Sequence, residues 1–149
     1  MNFSRDVLIS KLGQLQDVIE RIQSKRPATL DVLLKDRDVQ DILSKNIERA
    51  VQICVDIATH IATSSGMSPK TAGESFKMLV AAGALDESVA KAMTNAVGFR
   101  NIAVHDYVRI DWEIVMKIAS EGLDDLRAFG AWTTKLCGHS TPPPPGGRR

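Results

Sequence analysis

Between Arg100 and Tyr107 the chain sets a guanidinium, a carboxamide, an imidazole and a phenol within one short run, Arg-Asn-Ile-Ala-Val-His-Asp-Tyr. Arginine stays ionised at any working pH and presents a planar fork of donors to phosphate oxygens, while histidine gives or takes a proton near neutrality. Arg100 and His105 are therefore the smallest set of groups that can grip a phosphodiester and move a proton beside it. The spacing alone is a loose pattern, so the elements that position it must carry the case.

On a helix, Arg100 falls on the stripe of Ala96, Val97, Ala103 and Val104, a face that a neighbouring helix ought to cover. One reading pairs it with an acid of that neighbour, Asp56 or Glu113, as a strut of the bundle; the other opens the face onto a phosphate-binding cleft. His105 lies roughly 140° around an ideal helix from Arg100. Either the helix ends near Val104, with Asp106 and the coming Asp111 as stop signals, or two chains combine. A two-fold dimer built on this helix brings two Arg-His pairs into one cleft, because the same patch must face itself. Asn101 shares a face with His105 at four-residue spacing and can orient the imidazole or contact a ligand. Tyr107, the single tyrosine of the chain, follows at the mouth of the same segment. Phe99 is expected to pack in the core, with base stacking as its alternative.

Around this run nearly every apolar residue recurs at helical spacing, and alternating strand patterns are absent. Residues 2–26 carry Phe3, Val7, Leu12, Leu15, Val18, Ile19 and Ile22 on one stripe, stopped by Pro27. After a short segment at 29–34, Asp36 or Asp38 caps a long helix that repeats Val39, Ile42, Leu43, Ile47, Ala50, Val51, Cys54, Ile57, Ala58 and Ile61, until Ser64, Ser65 and Gly66 end it. Pro69 and a Thr71-to-Glu74 capping box open a third helix that Gly83 terminates. Asp86 caps the fourth, which runs into Arg100, and Asp111 opens a last one reaching about Leu136. The expected fold is all-α, an antiparallel bundle of four to five helices forming a two-fold dimer.

The length of 149 residues fits one domain at 1–138, followed by a Pro/Gly-rich tail at 139–149 that has almost nothing to bury. A net charge of +1 excludes a general nucleic-acid coat, so any RNA contact must rest on a local cluster of cations. Cys54 and Cys137 match no disulfide framework or metal spacing and read as small apolar fillers. His60 reads as a core or boundary histidine, His139 lacks partners for zinc, and the Asp36-Arg37-Asp38 turn reads as a solvated cap from which Arg37 can reach the cleft. The start of the chain interrupts its apolar residues with charges, and no run approaches membrane-spanning length, so a soluble cytoplasmic protein is expected. No cofactor and no metal site are expected.

These residues carry a resemblance. Arg100-Asn101-x-x-x-His105 resembles the Arg-polar-x-x-x-His signature of the HEPN superfamily, and residues 98–107 are similar to its HepT toxin branch, whose motif ends in His-x-Tyr. Segments 35–41, 54–61, 74–76 and 108–111 are similar to that branch as well, and the likeness spans about residues 1–136. It implies a dimeric bundle with a composite ribonuclease site between protomers, carried here by Arg100 and His105 with Asn101 in support. It also implies a toxin neutralised by a minimal nucleotidyltransferase, MntA, which attaches AMP to the tyrosine of the motif, here Tyr107.

The chemistry consistent with that resemblance needs no metal. The ribose 2′-hydroxyl attacks the adjacent phosphorus, His105 takes or delivers the proton, and Arg100 holds the charge that builds on the non-bridging oxygens, leaving a 2′,3′-cyclic phosphate and a 5′-hydroxyl. The expected substrate is single-stranded or loop RNA, from tRNA or messenger, because in-line attack needs a ribose free to leave A-form geometry. Two competing readings are a catalytically silent helical module that binds nucleotides or a nucleotidyltransferase, and a structural bundle in which Arg100 is a buried ion-pair partner.

Overall fold

The computed structural model describes residues 2–138, so the tail at 139–149, with His139 and its two arginines, lies outside the described residues. Seven α-helices follow one another among the described residues: α1 (Arg5–Lys25), α2 (Leu30–Lys35), α3 (Arg37–Ser64), α4 (Ala72–Ala81), α5 (Glu87–His105), α6 (Trp112–Ser120) and α7 (Gly122–Gly138). A 3-10 turn, Tyr107–Arg109, joins α5 to α6. The described residues contain no strand, and the all-α fold stands as the sequence indicated.

Helix α3 is the axis of the molecule. Its 28 residues span about 42 Å, and it touches every other helix. The reason lies in its pattern: Leu43, Ile47, Ala50, Val51, Cys54, Ile57, Ala58 and Ile61 recur at threes and fours and are all buried. Asp36 starts it, its carboxylate accepting from the backbone N–H groups of Asp38 and Val39. Gly66, at φ +86°, ends it with the Met67 N–H reaching back to the Ala62 carbonyl at 2.9 Å, a left-handed closure that a side chain would strain.

Against α3 pack α1, α4 and α7. Ser4 caps α1, and His60 from α3 accepts the Ser4 N–H at 2.8 Å, so this histidine is a boundary residue with a structural task. The buried stripe of α1 is Leu8, Leu15, Val18, Ile19 and Ile22; Val7, expected inside, faces out and Leu8 takes its place, because α1 lies against both α3 and α7. Thr71 caps α4 by accepting the Glu74 N–H at 3.2 Å. Phe76 of α4 meets Phe129 of α7 edge to face at 5.6 Å, and the Trp132 indole closes the layer by donating to the Ala84 carbonyl at 2.8 Å.

Two helices go beyond the expected set. The segment at 29–34 forms α2, six residues capped by Thr29, too short to show a period. The last helix, expected unbroken from Asp111, divides into α6 and α7 at Glu121 and Gly122, where the Asp124 N–H bonds the Glu121 carbonyl at 3.0 Å in place of the α-helical partner one residue earlier. A Cβ on Gly122 would sit 3.2 Å from Ile118 Cγ2, so glycine suits this corner.

Candidate active site

The C-terminal end of α5 is built to stop. Asp106 leaves helical geometry at φ −152° and ψ 67° while its N–H still reaches the Ile102 carbonyl at 2.8 Å. The 3-10 turn then closes through Arg109 N–H to Asp106 O at 3.0 Å and Ile110 N–H to Tyr107 O at 3.1 Å, and buried Ile110 pins it to the core. Asp111 caps α6 by accepting the Glu113 N–H at 2.9 Å. His105 is thus the last residue of α5, one of the two arrangements the sequence left open.

Arg100 is half-buried, between the buried Val97 and Ala103 and the solvent. Its guanidinium donates to Gln52 Oε1 across the groove to α3 and, at 2.9 Å, to Asn101 Oδ1. The ion-pair strut is not formed. Asp56, its first expected partner, is taken by Lys11 at 3.2 Å and by the Gln52 amide at 2.8 Å, and among the described residues no acid lies within 4 Å of Arg100, Glu113 included. Gln52 therefore acts as a neutral spacer between a carboxylate already paired and a cation left to face the groove.

Arg100, Asn101, Val104 and His105 line one side of an open cleft of about 400 Å³; Lys45, Glu48, Arg49 and Gln52 of α3 line the other. The arginine and the histidine share this cleft within a single chain, despite the angle between them on α5. His105 is exposed and has no hydrogen-bond partner among the described residues, so its ring is free to meet a ligand. Asn101 orients Arg100, not the imidazole. Three fixed cations, Lys45, Arg49 and Arg100, stand against one acid, Glu48, which Lys45 approaches at 3.4 Å. That local excess of positive charge is what the near-neutral whole chain lacks, and it suits a polyanion.

Lys45, Arg49 and Gln52 were missed by the sequence reading. Their spacing of four and three places them on one face of α3, beside the buried stripe, but only the crossing of α5 turns that face into a cleft wall.

Tyr107 stands apart from this cleft. Its hydroxyl donates to Asp41 Oδ1 at 2.5 Å, and its ring meets Trp112 edge to face at 5.9 Å. Burial and the Asp41 carboxylate push the phenol above its ordinary pKa, against the opposing pull of Ser44 and Arg37. Arg37 does not line the Arg100 cleft; its charge acts on Tyr107 instead. Asp41 and Gln52, eleven residues apart on α3, fall on nearly the same face, about 16 Å from each other along the axis. The tyrosine and the arginine are thus bound to two ends of one helical face. Phe99 is 7% exposed and belongs to the core, which leaves base stacking without a surface to act on. Among the described residues no group of three or more His, Cys, Asp or Glu side chains is placed to hold a metal ion, and no helix is long and apolar enough to cross a membrane.

Bundle and motif together define a HEPN-type helical protein with an Arg-x4-His cleft. The comparison with known families is decisive: residues 15–131 match the family described as HepT-like, Ribonuclease HepT-like, and the chain belongs to it. The mRNA nuclease HepT of Shewanella oneidensis is 30% identical over 125 residues, which cover 83% of this chain and 93% of that protein. Among solved structures, the tri-AMPylated HEPN toxin of the same organism in complex with the MNT antitoxin is 29% identical, with a TM-score of 0.81 over 91% of this chain and 99% of that one. A toxin-antitoxin complex with AMP-PNP superposes with a TM-score of 0.82 at 27% identity, over 87% of this chain and 98% of its counterpart. The cytosolic protein YutE of Bacillus subtilis, 12% identical at a TM-score of 0.81 over 95% of each chain, shares the fold alone.

Proposed function

We propose that this chain is an endoribonuclease toxin that cleaves RNA without a metal and is silenced by adenylylation of Tyr107. One observation carries the reading: Arg100 and His105 line the same solvent-open cleft, and among the described residues the guanidinium is held by neutral amides alone. A cation so placed keeps its attraction for a phosphate. In the proposed reaction the 2′-hydroxyl attacks the adjacent phosphorus, His105 transfers the proton, Arg100 stabilises the charge growing on the non-bridging oxygens, and Arg49 and Lys45 hold the flanking phosphates. The products are a 2′,3′-cyclic phosphate and a 5′-hydroxyl. The substrate is single-stranded RNA, messenger or tRNA, and the work is cytoplasmic because that is where such RNA is met.

Two further parts belong to the same reading. The first is a two-fold dimer on the α5 end, supported by the apolar side chains left uncovered there: Val104 is 51% exposed and Val108 91%. Such a dimer pools two Arg-His pairs. The second is the antitoxin, a minimal nucleotidyltransferase of the MntA kind, which transfers AMP to Tyr107. Because Tyr107 and Arg100 are bonded to two points on one α3 face, an adenylate tethered to Tyr107 can extend its nucleoside along that face and obstruct the cleft that RNA needs.

The test is cleavage of total RNA by purified wild-type, Arg100→Ala and His105→Ala proteins, with mapping of the new ends. Loss of cleavage in both variants, and 5′-hydroxyl ends from the wild type, are the expected results. Equal cleavage by the variants leaves a binding module in place of an enzyme.

A further inference from the structure

The bond between Tyr107 and Asp41 joins residues 66 positions apart and sits outside the cleft that the cleavage chemistry uses. We infer that Asp41 is the general base of the adenylylation reaction, so that the toxin itself supplies the group that activates its own acceptor hydroxyl. The inference rests on the reading that Tyr107 receives AMP.

Three features carry it. The phenolic proton already points at Asp41 Oδ1 at 2.5 Å, within the reach a proton transfer requires. The ring is held from turning by the Trp112 edge contact, yet Tyr107 keeps 43% of its surface open, enough for a nucleotide to approach the oxygen. Asp41 itself is exposed and bonded to no cation within 4 Å among the described residues, so its carboxylate is not committed elsewhere. The direction of the tyrosine's pKa shift shows why a base is needed: burial and the carboxylate hold the phenol protonated at neutral pH, and a protonated phenol is a poor nucleophile until something removes the proton as it reacts.

The step balances with ATP as co-reactant. Tyr107 Oη forms a bond to the α-phosphorus while the bond from that phosphorus to the bridging oxygen of the β-phosphate breaks. Pyrophosphate leaves with the electron pair, and the phenolic proton passes to Asp41. The finished ester oxygen has no proton to donate, and a phosphodiester anion now lies near the carboxylate, so the modified side chain must turn away from Asp41. Arg37, a cation of α3 whose charge already reaches Tyr107, is placed to receive it.

The experiment follows labelled AMP transfer from ATP onto the full chain by a minimal nucleotidyltransferase of the MntA kind, using wild-type, Asp41→Asn, Asp41→Glu and Tyr107→Phe proteins. Asparagine keeps an acceptor oxygen for the phenol but cannot take its proton. It is expected to lower kcat of transfer about 100-fold or more with KM for ATP unchanged, and Asp41→Glu to recover part of the rate. Unaltered melting and unaltered RNA cleavage by Asp41→Asn accompany this result, since Asp41 is exposed and outside the cleavage cleft. Transfer to Asp41→Asn at the wild-type rate, or a loss confined to KM, overturns the assignment while leaving Tyr107 as the acceptor. Absence of AMP on the wild type, or full labelling of Tyr107→Phe, overturns the acceptor reading and the base with it.

Discussion

Where α1, α4 and α7 close on α3, the side chains are sealed: Leu8, Phe76, Leu79 and Phe129 expose nothing, and the buried Thr133 hydroxyl donates a hydrogen bond to the Phe129 carbonyl at 2.9 Å. The C-terminal end of α5 is finished differently. Ile102, Val104 and Val108 stay in solvent, Arg100 rests on amides, and the His105 ring bonds to nothing among the described residues. The first region spends its residues on burial, and its polar groups are satisfied internally. The second leaves apolar surface uncovered and Arg100 without a carboxylate partner among the described residues, which costs stability and suits an approaching partner or phosphate. Substitutions in the two regions should therefore separate cleanly into those that unfold the protein and those that silence it.

The largest expected effect belongs to the second region. His105→Ala removes the proton-transfer group and should lower the rate of RNA cleavage by about 10²- to 10⁴-fold, while the free energy of unfolding stays within about 0.5 kcal/mol of the parent. Single-turnover cleavage and urea denaturation measure the two quantities on the same preparations. A loss of activity that tracks a loss of structure would erase the distinction between the regions.

The mirror experiment lies in the core. Phe129 meets Phe76 at 5.6 Å and Trp132 at 5.4 Å and exposes nothing, so Phe129→Ala leaves a cavity lined by aromatic rings. The expected cost is about 3–5 kcal/mol of stability, read as a fall in the urea midpoint, with cleavage per folded molecule unchanged at low temperature. A weaker effect is expected at the start of α3. Asp36 accepts two backbone N–H groups, and Asp36→Ala should cost about 1 kcal/mol. That cap also sets the first turns of the face bearing Arg37 and Asp41, so its loss should lower adenylylation before it lowers RNA cleavage, which depends on residues further along the helix.

How much of this was readable in the residues follows from the range of the interactions. Local signals held with one exception. The caps at Asp36, Thr71 and Asp111 formed as the capping pattern indicated, Gly66 and Gly83 took positive φ where helices had to end, and α5 stopped at His105. Asp86 takes the N-cap position of α5 but accepts no backbone N–H, because its carboxylate is bonded by the Ser88 hydroxyl instead. Periodicity failed where two choices were locally equal: Val7 and Leu8 are adjacent, and only the packing of α1 on α3 and α7 selects Leu8. The break at Gly122 had a trace in the five-residue step from Ile118 to Leu123, a phase slip that an unbroken stripe does not make. The cleft wall had no local trace. Lys45, Arg49 and Gln52 look like any solvated helix face until α5 crosses them, and the Asp41–Tyr107 bond joins two segments that no spacing rule connects.

The most discriminating measurement is a small change in stability. Arg100→Ala, which should abolish cleavage, is expected to change stability by no more than about 0.5 kcal/mol. Had the guanidinium been a buried strut paired with Asp56 or Glu113, its removal would strand a desolvated carboxylate and cost about 3–5 kcal/mol. In the structure it strands only two amide oxygens, on Gln52 and Asn101, both at exposed positions where water replaces the lost donors. Asp56 keeps Lys11 and the Gln52 amide in either case. Urea titration of the variant at constant m decides between the two: a drop of several kcal/mol makes Arg100 part of the scaffold, and an unmoved midpoint with no cleavage assigns its charge to the phosphate alone.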